Sequence, residues 1–95
     1  MQTIDSIKKK AAAVLPDYGV TEAYLFGSLA RGDGREDSDV DILVRFDGVR
    51  GLFAFVAAKL AMEEALGGCS VDLVQIDALR PEFRADIERE KIRLF

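Results

Sequence analysis

The sequence predicts a single α/β domain over residues 1–95, a sheet with helices packed on it. Three features predict it. Apolar residues recur at helical spacing over residues 4–15 and 51–66, residues 39–46 alternate strictly between polar and apolar, and VDLVQI at residues 71–76 reads as a further strand. At 95 residues the chain is long enough to bury roughly 60–65% of its unfolded surface, which suits one modest core and excludes two.

The elements follow in order. Thr3 is placed to cap a first helix in which Ile4, Ile7, Ala11, Val14 and Leu15 share a stripe, and Pro16 with Gly19 closes it. Tyr24, Leu25 and Phe26 form a short strand. Gly27 breaks it, and residues 28–32 suit a brief helical turn. From Asp39 the side chains alternate, with Val40, Ile42, Val44 and Phe46 pointing one way and Asp39, Asp41, Leu43 and Arg45 the other. Residues 51–66 predict a second long helix with Leu52, Phe53, Val56, Leu60 and Ala61 inward, ended by Gly67 and Gly68. In the third strand Asp72 shares a face with Val74 and Ile76, while Val71 and Leu73 take the other. Pro81 opens a last helix that reaches about Glu90, and Ile92 to Phe95 add a terminal edge strand.

Composition narrows the function classes. The chain is 49% hydrophobic and 32% charged, and no apolar run approaches the ~20 residues of a membrane span. MQTIDSIKKK lacks an apolar signal core, so the expected location is the cytoplasm. Thirteen basic and seventeen acidic residues give a net charge of −4, the wrong sign for a protein that grips nucleic acid through its phosphates, and no direct nucleic-acid partner is expected. With one cysteine and no histidine, neither an internal disulfide nor a zinc cluster can form, and Cys69 reads as a small apolar filler.

The chemistry lies in LFGSLARGDGREDSDVDILVRF, residues 25–46. Two residues apart on one strand, Asp39 and Asp41 project the same way with carboxylates about 6–7 Å apart. Two such charges repel by about 3 kcal/mol at an effective dielectric near 20, and a third carboxylate from a neighbouring strand adds to that. A small domain does not carry such repulsion idly. A divalent cation relieves it, because hard carboxylate oxygens suit Mg²⁺, which completes its shell with water and substrate phosphates. Gly27 and Ser28 supply the phosphate side: a strand-ending glycine lets the backbone come close to a ligand, and the turn after it aims N–H groups outward. Arg31, one turn on, can reach a phosphate oxygen.

Each feature has an ordinary explanation when taken singly. Gly27-Ser28 is a turn, Asp-x-Asp a solvated strand face, Asp72 a cap or an arginine partner, and Arg31 a surface residue. Together they are Gly-Ser, ten residues, Asp-x-Asp, then a third strand Asp thirty-one residues on, a combination that points to a metal and phosphate site. The loop acids Asp33, Glu36 and Asp37 read as solvated, and Ser38 as orienting the start of the strand.

Gly27-Ser28, Ala30-Arg31-Gly32 and Ser38-Asp39-Val40-Asp41 resemble the motif of the DNA polymerase β-like nucleotidyltransferases, and the short chain resembles their minimal prokaryotic members, the MNT proteins. The resemblance spans nearly the whole chain. It implies an α+β fold with a mixed sheet flanked by helices and the acids on one face. It further implies that Asp39 and Asp41 bind Mg²⁺, two ions in all, with Asp72 as the third catalytic and metal-binding acid. Gly27, Ser28 and Arg31 would bind the nucleoside triphosphate, ATP as substrate. The implied reaction is transfer of a nucleotide to a hydroxyl with loss of pyrophosphate.

MNT proteins are commonly antitoxins of HEPN ribonuclease toxins, which they inactivate by adding AMP to a tyrosine. The resemblance therefore implies a HEPN-domain toxin as partner. Two alternatives share the fold: an antitoxin that neutralises by binding alone, and a stand-alone transferase acting on RNA or a small hydroxyl compound. The apolar helix at 52–62 and the edge at Ile92–Phe95 offer surfaces for a homo-oligomer or for a hetero-oligomer with the toxin.

Overall fold

The alternating segment around Val40 becomes β2 (Val40–Phe46), an inner strand of a four-stranded sheet in a computed structural model that describes residues 2–34, 39–48 and 51–95. β1 (Val20–Phe26), β3 (Val71–Gln75) and β4 (Ile92–Arg93) complete it in the order β3-β2-β1-β4. β1 pairs antiparallel with β2 and β4, and β2 pairs parallel with β3, so the sheet is mixed. The parallel pair requires a crossover, and α3 (Leu52–Ala65) provides it.

α1 (Ile4–Val14) starts where Thr3 accepts a hydrogen bond from the Ser6 N–H at 3.0 Å, a cap that contributes about 1 kcal/mol. The helix continues into a 3₁₀ turn, Leu15–Tyr18, and stops at Gly19, whose φ of 86° lies in the left-handed region. Ile7, Ala11 and Leu15 are fully buried against Ala23, Leu25, Val40, Ile42, Val44, Val71 and Leu73, and together they form the core. Each large apolar side chain buried this way contributes about 1.5–3 kcal/mol.

Several sequence expectations meet the structure directly. The 28–32 turn is a one-turn helix, α2 (Ser28–Arg31), and the last helix is α4 (Pro81–Glu90). β4 lies at the sheet edge as expected but spans only Ile92–Arg93, not Ile92 to Phe95. The faces of VDLVQ also agree, with Val71 and Leu73 buried and Asp72 exposed, but the strand stops at Gln75 and Ile76 opens a 3₁₀ turn instead of sharing the Asp72 face.

Two readings need correction. β1 is seven residues long rather than three, and its pairing with β2 shifts register between Val20 and Glu22. That bulge buries Val20, Ala23 and Leu25 at uneven spacing, and it hides the strand's start from a search for strict alternation.

The second correction concerns α3. Leu52, Phe53, Val56 and Leu60, expected inward, are 76%, 94%, 39% and 56% exposed, and Ala61 is half-buried. Ala58 and Met62 are buried instead, with Phe55 packed on the core. LFAFVAAKLAMEEA is apolar on nearly every side, so periodicity does not fix which side faces in. Docking fixes it: Phe55 meets the Phe46 ring at 6.2 Å, and Glu63 accepts the Val71 N–H at 2.9 Å.

Cys69 is half-buried beside the core, with the Gln2 side-chain amide 3.6 Å from its sulfur. Glu36, Asp37 and Ser38 lie outside the described residues, and Asp33 is an exposed partner of Arg31. Among the described residues no helix is long and apolar enough to cross a membrane.

Candidate active site

The sheet's two faces are unlike. Val40, Ile42 and Val44 turn toward α1 and α3, so the alternation of β2 sends Asp41 and Leu43 to the other face. There Leu43 stands between Tyr24 on β1 and Val74 on β3, and one step along the strand Asp41 stands between Phe26 and Asp72. The parallel register thus sets Asp41 and Asp72 side by side. Asp39, exposed just ahead of β2, has the same parity.

Asp41 is half-buried, and its carboxyl pKa is pushed up from 3.8 to about 6. Burial is the largest cause, followed by the negative charges of Asp72, Asp39 and Glu90; only Arg31 acts in the opposite direction. Asp41 therefore feels both of the other sequence-predicted acids.

Gly27 follows β1 with φ 79° and ψ −156°, a conformation that essentially only glycine adopts. A Cβ there would lie 2.1 Å from Asp41 Oδ2. The glycine is what lets the carboxylate rest against the turn that begins α2. Ser28 starts α2 and Arg31 ends it, with the Arg31 N–H donating to the Gly27 carbonyl at 3.1 Å.

Arg31 is not free in this structure. Its Nη1 donates to both carboxylate oxygens of Glu90, at 3.2 and 3.4 Å, and its Nε lies 3.5 Å from Asp33 Oδ2. The pair with Glu90 raises the arginine pKa further above its usual value. Glu90 was not among the sequence-predicted residues, and no local pattern in PEFRADIERE distinguishes it from its charged neighbours.

A cleft of about 680 Å³ opens beside these groups, between the acid-bearing face and α4. Phe26, Gly27, Arg31 and Asp72 line one side, with Phe83 and Glu90 on the other. It combines apolar walls with the carboxylates of Asp72, Asp86 and Glu90 and the guanidinium groups of Arg31 and Arg89, the kind of hollow that takes a small organic ligand carrying charge.

The donor chemistry fits a hard cation, since every candidate ligand is a carboxylate. Among the described residues, however, no three His, Cys, Asp or Glu side chains form a group able to hold a metal ion by themselves. The fit is thus to an ion such as Mg²⁺ that takes only one or two protein carboxylates.

Known proteins with the same features place the chain. Protein adenylyltransferase MntA of Thermococcus cleftensis is 41% identical over 75 residues, 79% of this chain and 75% of that protein. MJ0435 of Methanocaldococcus jannaschii is 37% identical over 89 residues, 94% of this chain and 95% of its own length. A solved structure assigned as a minimal nucleotidyltransferase superposes with a TM-score of 0.80 at 38% identity, covering 96% of this chain and 95% of that one. The MNT antitoxin bound to a tri-AMPylated Shewanella oneidensis HEPN toxin shares the fold, with a TM-score of 0.74 at 21% identity over 98% of this chain and 72% of that one. The Polymerase beta, Nucleotidyltransferase family matches residues 9–95, a stretch that includes the Gly-Ser turn and the strand acids, and the chain belongs to that nucleotidyltransferase family.

Proposed function

We propose that the chain is a Mg²⁺-dependent protein adenylyltransferase that acts as an antitoxin, moving AMP from ATP onto a tyrosine of a partner HEPN ribonuclease toxin. One observation carries the reading: Asp41 and Asp72 stand side by side in register, with Gly27 bare of a side chain against Asp41. Supporting the choice of reaction, the MntA relative is named a protein adenylyltransferase, and a fold neighbour is an MNT antitoxin in complex with an AMPylated HEPN toxin.

In this reading Asp39, Asp41 and Asp72 would hold Mg²⁺, two ions being expected, and the ions would supply charge neutralisation and Lewis-acid activation at the phosphates. The remaining work belongs to the chain's own groups. Gly27 and Ser28 let the polyphosphate approach the backbone, and Arg31 contacts a phosphate oxygen. Asp72, on the cleft, faces the incoming hydroxyl and orients it for attack on the α-phosphorus in line with the departing pyrophosphate. With a pKa of about 6, Asp41 is ionised at neutral pH and available to a cation.

The acceptor docks from outside the described fold, and an acidic chain of net charge −4 suits an RNA-binding, locally basic partner. Incubation of the purified chain with ATP, Mg²⁺ and its cognate toxin is expected to add whole AMP masses to a toxin tyrosine. Asp39→Asn and Asp41→Asn are each expected to lower that transfer by about 10²–10⁴-fold, the several kcal/mol at stake in metal-assisted charge stabilisation. Toxin of unchanged mass with the wild-type chain, under conditions where the two proteins bind, contradicts the reading.

A further inference from the structure

We infer that Glu90 is a positioning residue for Arg31: it holds the guanidinium in the lining of the cleft so that a nucleotide phosphate meets a prearranged cation. The inference rests on the proposed phosphate role of Arg31.

Arg31 is poorly fixed by its own segment. It ends a helix of only four residues that has no side-chain cap and is closed by Gly32, whose φ is 85°. Its side chain is 49% exposed. A long arginine in that setting samples many rotamers, and ordering it on ligand arrival would cost affinity.

Two carboxylates address it, and they differ. Asp33 is 64% exposed and 3.5 Å away, a surface contact that fixes little. Glu90 is 20% exposed and places both oxygens on one nitrogen, Nη1. Glu90 is itself anchored: it closes α4 three residues after the buried Ile87, and the chain passes within two residues into β4. Glu90 and Asp33 take Nη1 and Nε. Among the described residues Nη2, which carries two of the five guanidinium donors, takes part in neither contact, and a phosphate oxygen can add to the fork without displacing the pair.

The location of Glu90 is also costly without such a role. A carboxylate in the last position of a helix faces the negative end of the helix dipole, where a cation is favoured. Its contact with Arg31 is what offsets that cost.

The test is binding of a non-hydrolysable ATP analogue with Mg²⁺, measured by calorimetry on the full chain, with thermal melting of each variant alongside. Arg31→Ala is expected to weaken binding about tenfold, and Glu90→Ala several-fold, each with a melting point close to that of the wild type. Glu90→Ala is expected to add nothing in the Arg31→Ala background, and Glu90→Gln, which keeps an acceptor oxygen, to recover part of the loss. Unchanged or tighter binding by Glu90→Ala overturns the inference, as does a Glu90→Ala loss that persists without Arg31. Should Arg31→Ala itself bind like the wild type, the phosphate role of Arg31 fails first, and the inference falls with it.

Discussion

The two faces of β2 are built from the same seven residues to opposite ends. Toward α1 and α3, Val40, Ile42 and Val44 are 1%, 0% and 0% exposed and form the centre of the core. On the other face the same alternation lines up Asp41 with Asp72, and the carboxyl pKa of Asp41 rises to about 6. One face gains free energy from burial; the other spends it on crowding charge. The proposed site rests on this difference, because no folding argument recommends two carboxylates side by side on adjacent strands.

Substitutions on either face sharpen this contrast. The largest stability effect is expected on the buried face, where Ile42→Ala removes a fully enclosed side chain and costs about 3–4 kcal/mol in chemical denaturation, with nucleotide affinity of the folded fraction unchanged. Gly27→Ala joins the two faces' logic. Its added Cβ meets Asp41 Oδ2 in a backbone conformation suited only to glycine, so stability should fall by about 1–3 kcal/mol and nucleotide binding should fall too.

Asp41→Asn should go the other way. The folded pKa lies above the ordinary 3.8, so the folded chain holds the proton more tightly than the unfolded chain, and stability falls as pH rises from 3.8 to about 6. Above that window the ionised Asp41 continues to destabilise. A neutral asparagine should therefore raise stability by about 1 kcal/mol at pH 7.5, after discounting for the partial exposure and solvent screening of the site, and by nothing below pH 3.8. Equal urea midpoints for Asp41→Asn and wild type at pH 7.5 would break the contrast. The smallest change is expected at Phe53, 94% exposed on α3, where Phe53→Ser should move stability by less than about 0.5 kcal/mol.

Much of this was legible before any coordinates. Thr3, Pro16, Gly19, Gly67 and Pro81 mark helix ends by local chemistry, and the alternation of VDILVRF states which side of β2 carries the acids. Asp72 as the third acid was an expectation from the family resemblance, and the parallel register sets it beside Asp41. What the sequence hid had physical reasons. The β1 bulge destroys the period that a reader counts, and α3 is apolar on so many sides that only docking against Phe46 and Val71 sets its phase. Glu90 was invisible because its meaning is a contact across 59 positions, with Arg31, and not a pattern along α4.

The most direct test of the central claim, that the acids at the head of β2 and β3 serve a metal-bound nucleotide and not the fold, is calorimetric titration of the wild-type chain and Asp41→Asn with a non-hydrolysable ATP analogue, each with and without Mg²⁺. The account predicts uptake by the wild type that requires Mg²⁺ and is lost in Asp41→Asn, although that variant is the more stable protein. Equal uptake by both proteins, or none by a folded wild type, would contradict it.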